Sequence, residues 1–446
     1  MTNSPLWLSQ TQFCLSLGFL GLFLLTQMGL AWVLVYFKLR GRGGSQLRYV
    51  TAYRFWVRVF ALAVIMVMAA AVPVFLQFGS LWPGLMSKIG NVASPLLAIT
   101  LLTVFVFKSC FLGPMLFGQR RMSESAHTLM VVLVAVGTTL SVMWILMLLG
   151  WLQRPAGTEL TNGVYQVTDW NEIFFNPVFA GFLALALVLA LLIAGLLLMG
   201  VTARQSLHHV IDEADRTVFR AGLVLSAAGS LLLLVLLAVY GAQVATYQPA
   251  KAAATAAYWV SGESPDLPLF VLPHADQPGN SVSFALPGMA LPFLGVDDEG
   301  LAIGLDKFDG MHAPVGLTFW SWRLLVLLAT AVFFLSWMTL LYLLGREFEP
   351  LAMSQRWRRV LSLFQYAGWF LLGLLVVHVW FGQLPWVVYG DITVTDVAAD
   401  HDADTLFASL LGHVVVFVSL MAGFIQLVNH SVRYGVVPVA RRRGRA

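Results

Sequence analysis

Charge is what this sequence has least of. Only 11% of its 446 residues are Asp, Glu, Lys or Arg, against about 25% in a soluble domain. With 59% hydrophobic residues and a mean hydropathy of +0.81, the composition excludes a soluble globular domain and implies a polytopic membrane protein. Cysteine is nearly absent. Cys14 falls at the start of the first apolar run and Cys110 deep in the third. Those are different depths, and a disulfide needs Cα atoms within about 7 Å. No CxxCH occurs, which excludes covalent c-type haem attachment. No Cys/His cluster has zinc spacing, and there is no Walker, GxSxG or HExxH motif and no visible inverted repeat. A cleavable signal peptide is also missing: the first apolar run is long and is followed by Lys and Arg, so it is expected to stay as a helix.

What is present is a series of apolar runs. Nine of them, at about 13–37, 55–78, 92–116, 128–152, 177–202, 218–242, 318–345, 360–382 and 405–428, are long enough to span a bilayer. The connections alternate in charge. Lys38, Arg40, Arg42, Arg48 and Arg54 lie between the first two spans, and Arg120 and Arg121 follow the third. Arg204, Arg216 and Arg220 flank the turn from the fifth to the sixth; Arg346, Arg356, Arg358 and Arg359 follow the seventh. Arg433, Arg441, Arg442, Arg443 and Arg445 end the chain, whereas the opposite connections hold only Lys88, Arg154, Lys251 and Lys307. This asymmetry predicts an all-α protein of nine transmembrane helices with its amino terminus outside and its carboxyl terminus cytoplasmic. The tail RRRGR is expected to anchor the topology on anionic lipid. The net charge of +4 carries no nucleic-acid signal, because the basic residues cluster beside the spans.

Two outer connections are long. The first, 243–317, is rich in Pro, Gly and Asp and begins with PAKAAATAAYW, which predicts a short helix against the membrane; the remainder has too many turn signals for a long one. The second, 382–404, ends in DVAADHDAD, read as a solvated acidic edge; EF-hand spacing is absent.

Polar residues inside the spans are few. Lys108 is the one Lys in the middle of an apolar run. An ammonium there costs roughly 2.5–3.5 kcal/mol, so it is expected either to face protein or to snorkel toward the inner side. Gln77 is expected to bond between helices. His378 and His413 fall at similar outer depth, open both to interhelical hydrogen bonds and to joint ligation of a b-type haem. His127, His208 and His209 are expected to be solvated at the inner side. Trp82, Trp151, Trp170, Trp259, Trp320, Trp322, Trp380 and Trp386 gather at the outer helix ends, as an aromatic belt would. No residue stands out as catalytic and none as a metal ligand.

SVMWILMLLGWLQRPAG, from Ser141 to Gly157, resembles the S-x-L-W-I-L-x-x-N-G-W-M-Q-x-P-V-G that ends the fourth helix in subunit I of cytochrome bd quinol oxidases. In the same order, SQTQF at Ser9 resembles S-R-x-Q-F, LQFGSLW at Leu76 resembles F-Q-F-G-T-N-W, and FFNPV at Phe174 resembles L-N-P-V. FWSWR at Phe319 resembles F-x-F-R, and FGQLPW at Phe381 resembles Y-G-R-Q-P-W. The likeness covers nearly the whole chain, 1–446, as one subunit I-like membrane domain in which 243–317 matches the quinol loop. It implies a multi-pass protein of the prokaryotic plasma membrane.

The family oxidises quinol and passes electrons through three haems to O₂, using axial His and Met ligands and intramembrane carboxylates. Carried over from the neighbouring motif residues, the helix 1 His position falls on Leu20, the helix 5 His position on Leu185 and the helix 8 Met position near Leu372. The helix 3 glutamates fall on Thr100 and Lys108, the quinol-loop glutamate on Ala256 and the Asn before Gly-Trp on Leu149. The Arg of G-R-Q-P-W falls on Gln383 or Leu384. Lys251 keeps the loop's lysine and is a candidate quinone contact, and Arg323 keeps the Arg of helix 7, expected to meet a carboxylate or a lipid headgroup. Leu has no lone pair for iron. The resemblance therefore implies a subunit I-like paralogue without haem of its own, acting as structural partner to a haem-carrying bd-type subunit I that holds haems b and d. Two alternatives stay open: a quinol-oxidising subunit with one haem b relocated to His378 and His413, and a transporter or sensor reusing the scaffold.

Overall fold

In a computed structural model, residues 4–42, 47–208, 210–262, 265–274, 278–290 and 293–434 are described. His209 and the tail arginines Arg441, Arg442, Arg443 and Arg445 lie outside them.

The chain is helical almost throughout. Helix α1 (Pro5–Arg40) opens with Ser4 accepting from the Trp7 N–H at 3.3 Å and Pro5 in the first turn, and closes with Lys38 and Arg40, the favoured residues for each end. Next come α2 (Leu47–Leu81), α3 (Pro83–Phe107) and α4 (Gly113–Phe117), the last two joined by a π-helical turn at Lys108–Leu112. Helix α5 (Glu124–Gln153) leads into the hairpin β1 (Thr158–Thr161) and β2 (Val164–Val167), then α6 (Trp170–Phe174) and α7 (Pro177–Gln205). Helix α8 (Glu213–Tyr247) starts at a capping box in which Asp212 and Asp215 each accept from the other's backbone. The long connection holds α9 (Pro249–Ala256) and the hairpin β3 (Leu267–Pro273) and β4 (Asn280–Leu286). Helices α10 (Val315–Leu343), α11 (Gln355–Phe364) and α12 (Ala367–Phe381), the hairpin β5 (Trp386–Val388) and β6 (Ile392–Thr393), and α13 (Ala403–Tyr434) complete the chain.

Among the described residues these elements make nine stretches long and apolar enough to cross a membrane, in the predicted order. Helices α1 and α7 are central and buried over most of their surface; α3 and α13 are mostly exposed. Helix α7 packs on α1, α5, α8, α11 and α12, and α1 also touches α2, α5 and α13. A helix surrounded in this way has to be apolar all round, and α7 is: it reads LALALVLALLIAGLLLMG through its middle.

The two ends of the bundle differ. At one end, Arg48 pairs with Glu213 at 2.8 Å, Arg216 pairs with Glu349, and Arg358 donates to the Ser206 carbonyl. This is the arginine face. The other, the loop face, carries the start of α1, α9 and all three hairpins.

Several expectations need correcting. The Ala-rich helix α9 does form, but it is buried in protein instead of lying on the membrane: Ala250, Lys251, Ala252, Ala253, Ala254 and Ala256 are all buried. His127 is not solvated. It is 1% exposed in the first turn of α5, with Nε2 3.0 Å from the Met115 carbonyl and its ring edge-on to Tyr53. Trp82 and Trp151 are core residues, not belt residues. Trp151 stacks edge-on with Tyr165 at 5.0 Å, and Tyr165 in turn donates to Asp391 at 2.5 Å. The acidic run, by contrast, is solvated as expected, with Asp396, Asp400, Asp402 and Asp404 all exposed; Asp396 also accepts from the Thr393 N–H and Asp402 from the Thr405 N–H.

Candidate functional site

The densest polar cluster lies just under the loop face, where α8, α9, α10 and α12 converge. Pro249 starts α9 directly after α8 ends, which turns Lys251 inward. Lys251 is 1% exposed. Its Nζ donates to the Tyr240 hydroxyl at 2.8 Å and lies 5.5 Å over that ring. Burial pushes its pKa down from 10.5 to about 7. The Tyr240 ring meets His378 edge-on at 5.9 Å and Trp322 at 5.8 Å, and Trp322 lies 5.0 Å from His378. His378 Nδ1 stands 3.3 Å from the Thr318 carbonyl. Gly382 closes the cluster: a Cβ there would stand 2.8 Å from Lys251 Cε, so only glycine leaves room for the lysine stem.

Beside it runs a chain of carboxamides. Gln153 Nε2 donates to Gln383 Oε1 at 2.6 Å, Gln383 Nε2 donates to the carbonyls of Leu152 and Val387, and Gln248 Nε2 donates to the Gln153 carbonyl at 3.2 Å. Asn176 caps α7 and donates to the Arg154 carbonyl at 2.9 Å, while Gln243 donates to the Pro177 carbonyl. The stretches GWLQRPAG, FFNPV and FGQLPW, far apart in sequence, thus bond to one another on the loop face.

The other sequence-selected residues are dispersed. Arg323 pairs with no carboxylate among the described residues: its Nε and a terminal N–H donate to the Pro268 carbonyl at 3.1 and 2.8 Å, and the guanidinium lies over Phe319. Thr100 donates to the Leu96 carbonyl of its own helix at 2.7 Å. Lys108 opens the π-helical turn, half-buried. Gln77 is buried, but neither atom of its amide has a hydrogen-bond partner, so the expected interhelical bond is not made. The contacts of His378 and His413 lie on different elements. His378 faces α8 and α10, whereas His413 Nδ1 stands 2.8 Å from the Ser409 carbonyl of its own helix, with Phe417 beside it. Helix α1 packs against both α12 and α13. Tyr240 and Thr318 were not singled out from sequence, and Trp322 was read only as part of an aromatic belt. They look like ordinary span residues, and only the crossing of α8 and α10 brings them to Lys251.

The haem-ligand positions of the family resemblance can be tested for fit. Leu185 and Leu372 are buried and Leu20 half-buried, and none offers a donor to iron. Aromatic side chains pack between α1, α12 and α13. Phe19 stacks on Phe417 at 4.2 Å, and Phe23 meets Phe424 at 5.1 Å and Trp369 at 6.2 Å. The Trp369 indole donates to Thr26 at 3.1 Å. As the resemblance places the ligands, Leu20, Leu185 and Leu372 do not fit the family's haem ligation.

The profile of the family described as cytochrome bd terminal oxidase subunit I matches residues 8–436. The chain is 27% identical over 290 residues to cytochrome bd-II ubiquinol oxidase subunit 1 of Escherichia coli K12, a match covering 63% of this chain and 55% of that relative's length. It is 24% identical over 451 residues to cytochrome bd ubiquinol oxidase subunit 1 of Bacillus subtilis 168, covering 97% of this chain and 94% of the relative. The solved bd oxidase from Geobacillus thermodenitrificans shares the fold with a TM-score of 0.81 at 20% identity, over 96% of this chain and 98% of that one. With its apolar helices, the chain is a multi-pass protein of the prokaryotic plasma membrane, and it belongs to the cytochrome bd terminal oxidase subunit I family.

Proposed function

We propose that this chain is a haem-poor, subunit I-like partner in a cytochrome bd-type quinol:O₂ oxidoreductase complex, contributing structure and assembly to respiratory electron transport while a haem-carrying subunit I holds the redox centres. The observation that carries this is the contrast between the two sets of family positions. Family-motif residues of the loop face, Gln153, Asn176 and Gly382, are in place: Gln153 donates to Gln383, Asn176 donates to the Arg154 carbonyl, and Gly382 leaves room for Lys251. Positions that would bind iron hold Leu20, Leu185 and Leu372. Selection for chemistry would keep the second set; selection for a docked body keeps the first. On this reading the loop face points outward, the arginine face and tail point to the cytoplasm, and 243–317 is the quinol loop reduced to a structural cover. Lys251 then holds α9 onto α8 and α12 and is not a quinone contact.

Affinity purification of the tagged full chain from native membranes tests the proposal. A bd-type subunit I should co-purify near one to one, with haem in proportion to that subunit. Emergence of the chain alone would favour a transporter or sensor, and haem in proportion to this chain would favour an oxidase subunit with its own centre. Either result overturns the partner reading.

A further inference from the structure

The hairpin β3–β4 has one bare apolar face; on the opposite face Val271 is tucked into protein while Leu269, Ser281 and Ser283 are exposed. Its strands read LPLFVLP and NSVSFAL, without a charged side chain. In their register Phe270 stands opposite Phe284 and Leu272 opposite Val282. Alternate residues of a strand share a face, so these four form one surface, and all are exposed, Phe284 at 64%. On the other face Val271 is fully buried with Ala253, Ala254 and Phe319. In water the bare face would forgo roughly 25 cal/mol for each Å² of apolar surface left uncovered.

Helix α10 sets the height of the hairpin. The Trp320 indole donates to the Val271 carbonyl at 3.1 Å, Phe270 lies edge-on to Trp320 at 5.1 Å, and Arg323 donates to the Pro268 carbonyl. The strand is therefore strapped to the second and third turns of a membrane-spanning helix. One turn further along the same helix face stand Leu324 and Leu327, both exposed, and the exposed stripe continues through Phe334, Met338 and Leu341. That stripe is the surface a spanning helix turns to hydrocarbon, and the bare face of the hairpin adjoins it.

We propose that the β3–β4 hairpin is an interfacial membrane anchor. Phe270, Leu272, Val282 and Phe284 lie in the boundary between headgroups and acyl chains, so the long connection is docked on lipid instead of standing in water. Trp320 and Trp259 sit beside it at the depth where indoles partition. The open strand edges limit the depth, because unpaired backbone groups are not tolerated in the hydrocarbon core but find water among headgroups.

Spin labelling of the full chain in phosphatidylcholine/phosphatidylglycerol nanodiscs, in a background with Cys14→Ser and Cys110→Ala, tests this. Nitroxides at Phe284→Cys and, as a second site, Val282→Cys should collide with O₂ several times more readily, relative to water-soluble nickel chelate, than a nitroxide at Glu299→Cys in the exposed turn. Nickel access equal to that at residue 299 would place the face in water. Protection from both reagents would mean that protein covers it. Either outcome overturns the proposal.

Discussion

Lys251 is a fully buried amine that, among the described residues, donates to a phenol and pairs with no carboxylate. The consequence for stability has a definite sign. Below pH 7 the group is charged in folded and unfolded chains alike, and the folded state carries the full cost of burying it. Between about 7, its folded pKa, and 10.5, its ordinary one, the unfolded chain keeps a proton that the folded chain has released, so stability rises with pH through that window. Melting of the detergent-solubilised chain should therefore move to higher temperature from pH 7 to pH 9. In Lys251→Met this component of the slope should vanish, and the variant should melt above the parent at pH 6. Gly382→Ala acts at the same place from the other side: its new Cβ meets the lysine stem, and it should lower stability by about 1–3 kcal/mol, the usual range for an overfilled core. A melting temperature unchanged by Gly382→Ala would contradict the packing described for this cluster.

Among the elements, helices α7 and α8 approach closely through glycine on both sides. A Cβ on Gly222 would stand 2.5 Å from the Met199 nitrogen, and one on Gly195 would stand 2.9 Å from the Ser226 nitrogen. Small residues that let backbones meet are the main source of helix association where lipid supplies no hydrophobic drive. Gly222→Leu is expected to abolish the folded, monodisperse peak in size-exclusion chromatography, while Gly113→Leu, where a Cβ meets nothing within 4 Å, should leave it intact. Spans of this kind were legible in the sequence because twenty or so apolar residues have one reading. The π-helical turn at Lys108, the inward turn of α9 and the hairpins were not. An Ala-rich amphipathic octapeptide reads as interfacial whether lipid or protein covers it, and only the packing of α8, α10 and α12 decides that Lys251 faces in. The same ambiguity holds for His127, whose place at the end of a basic connection does not reveal that its ring meets the Met115 carbonyl.

At the scale of the whole molecule, the chain has the body of a bd oxidase subunit I, and side-chain bonds hold its loop face together. Three of the six motifs that signalled the family in the sequence, GWLQRPAG, FFNPV and FGQLPW, bond to one another in space. The haem-ligand positions were legible only by counting from those motifs. Equal depth along two helices did not reveal that His378 contacts Tyr240 and Trp322 while His413 lies against its own helix. The central claim is that aliphatic residues at the ligand positions leave this polypeptide without haem of its own. Pyridine haemochrome quantitation on the full chain, expressed with haem supplied and purified free of other subunits, tests it most directly. The account predicts less than a tenth of a haem per chain and no Soret band surviving washing. A stoichiometric b-type spectrum that survives purification would contradict it.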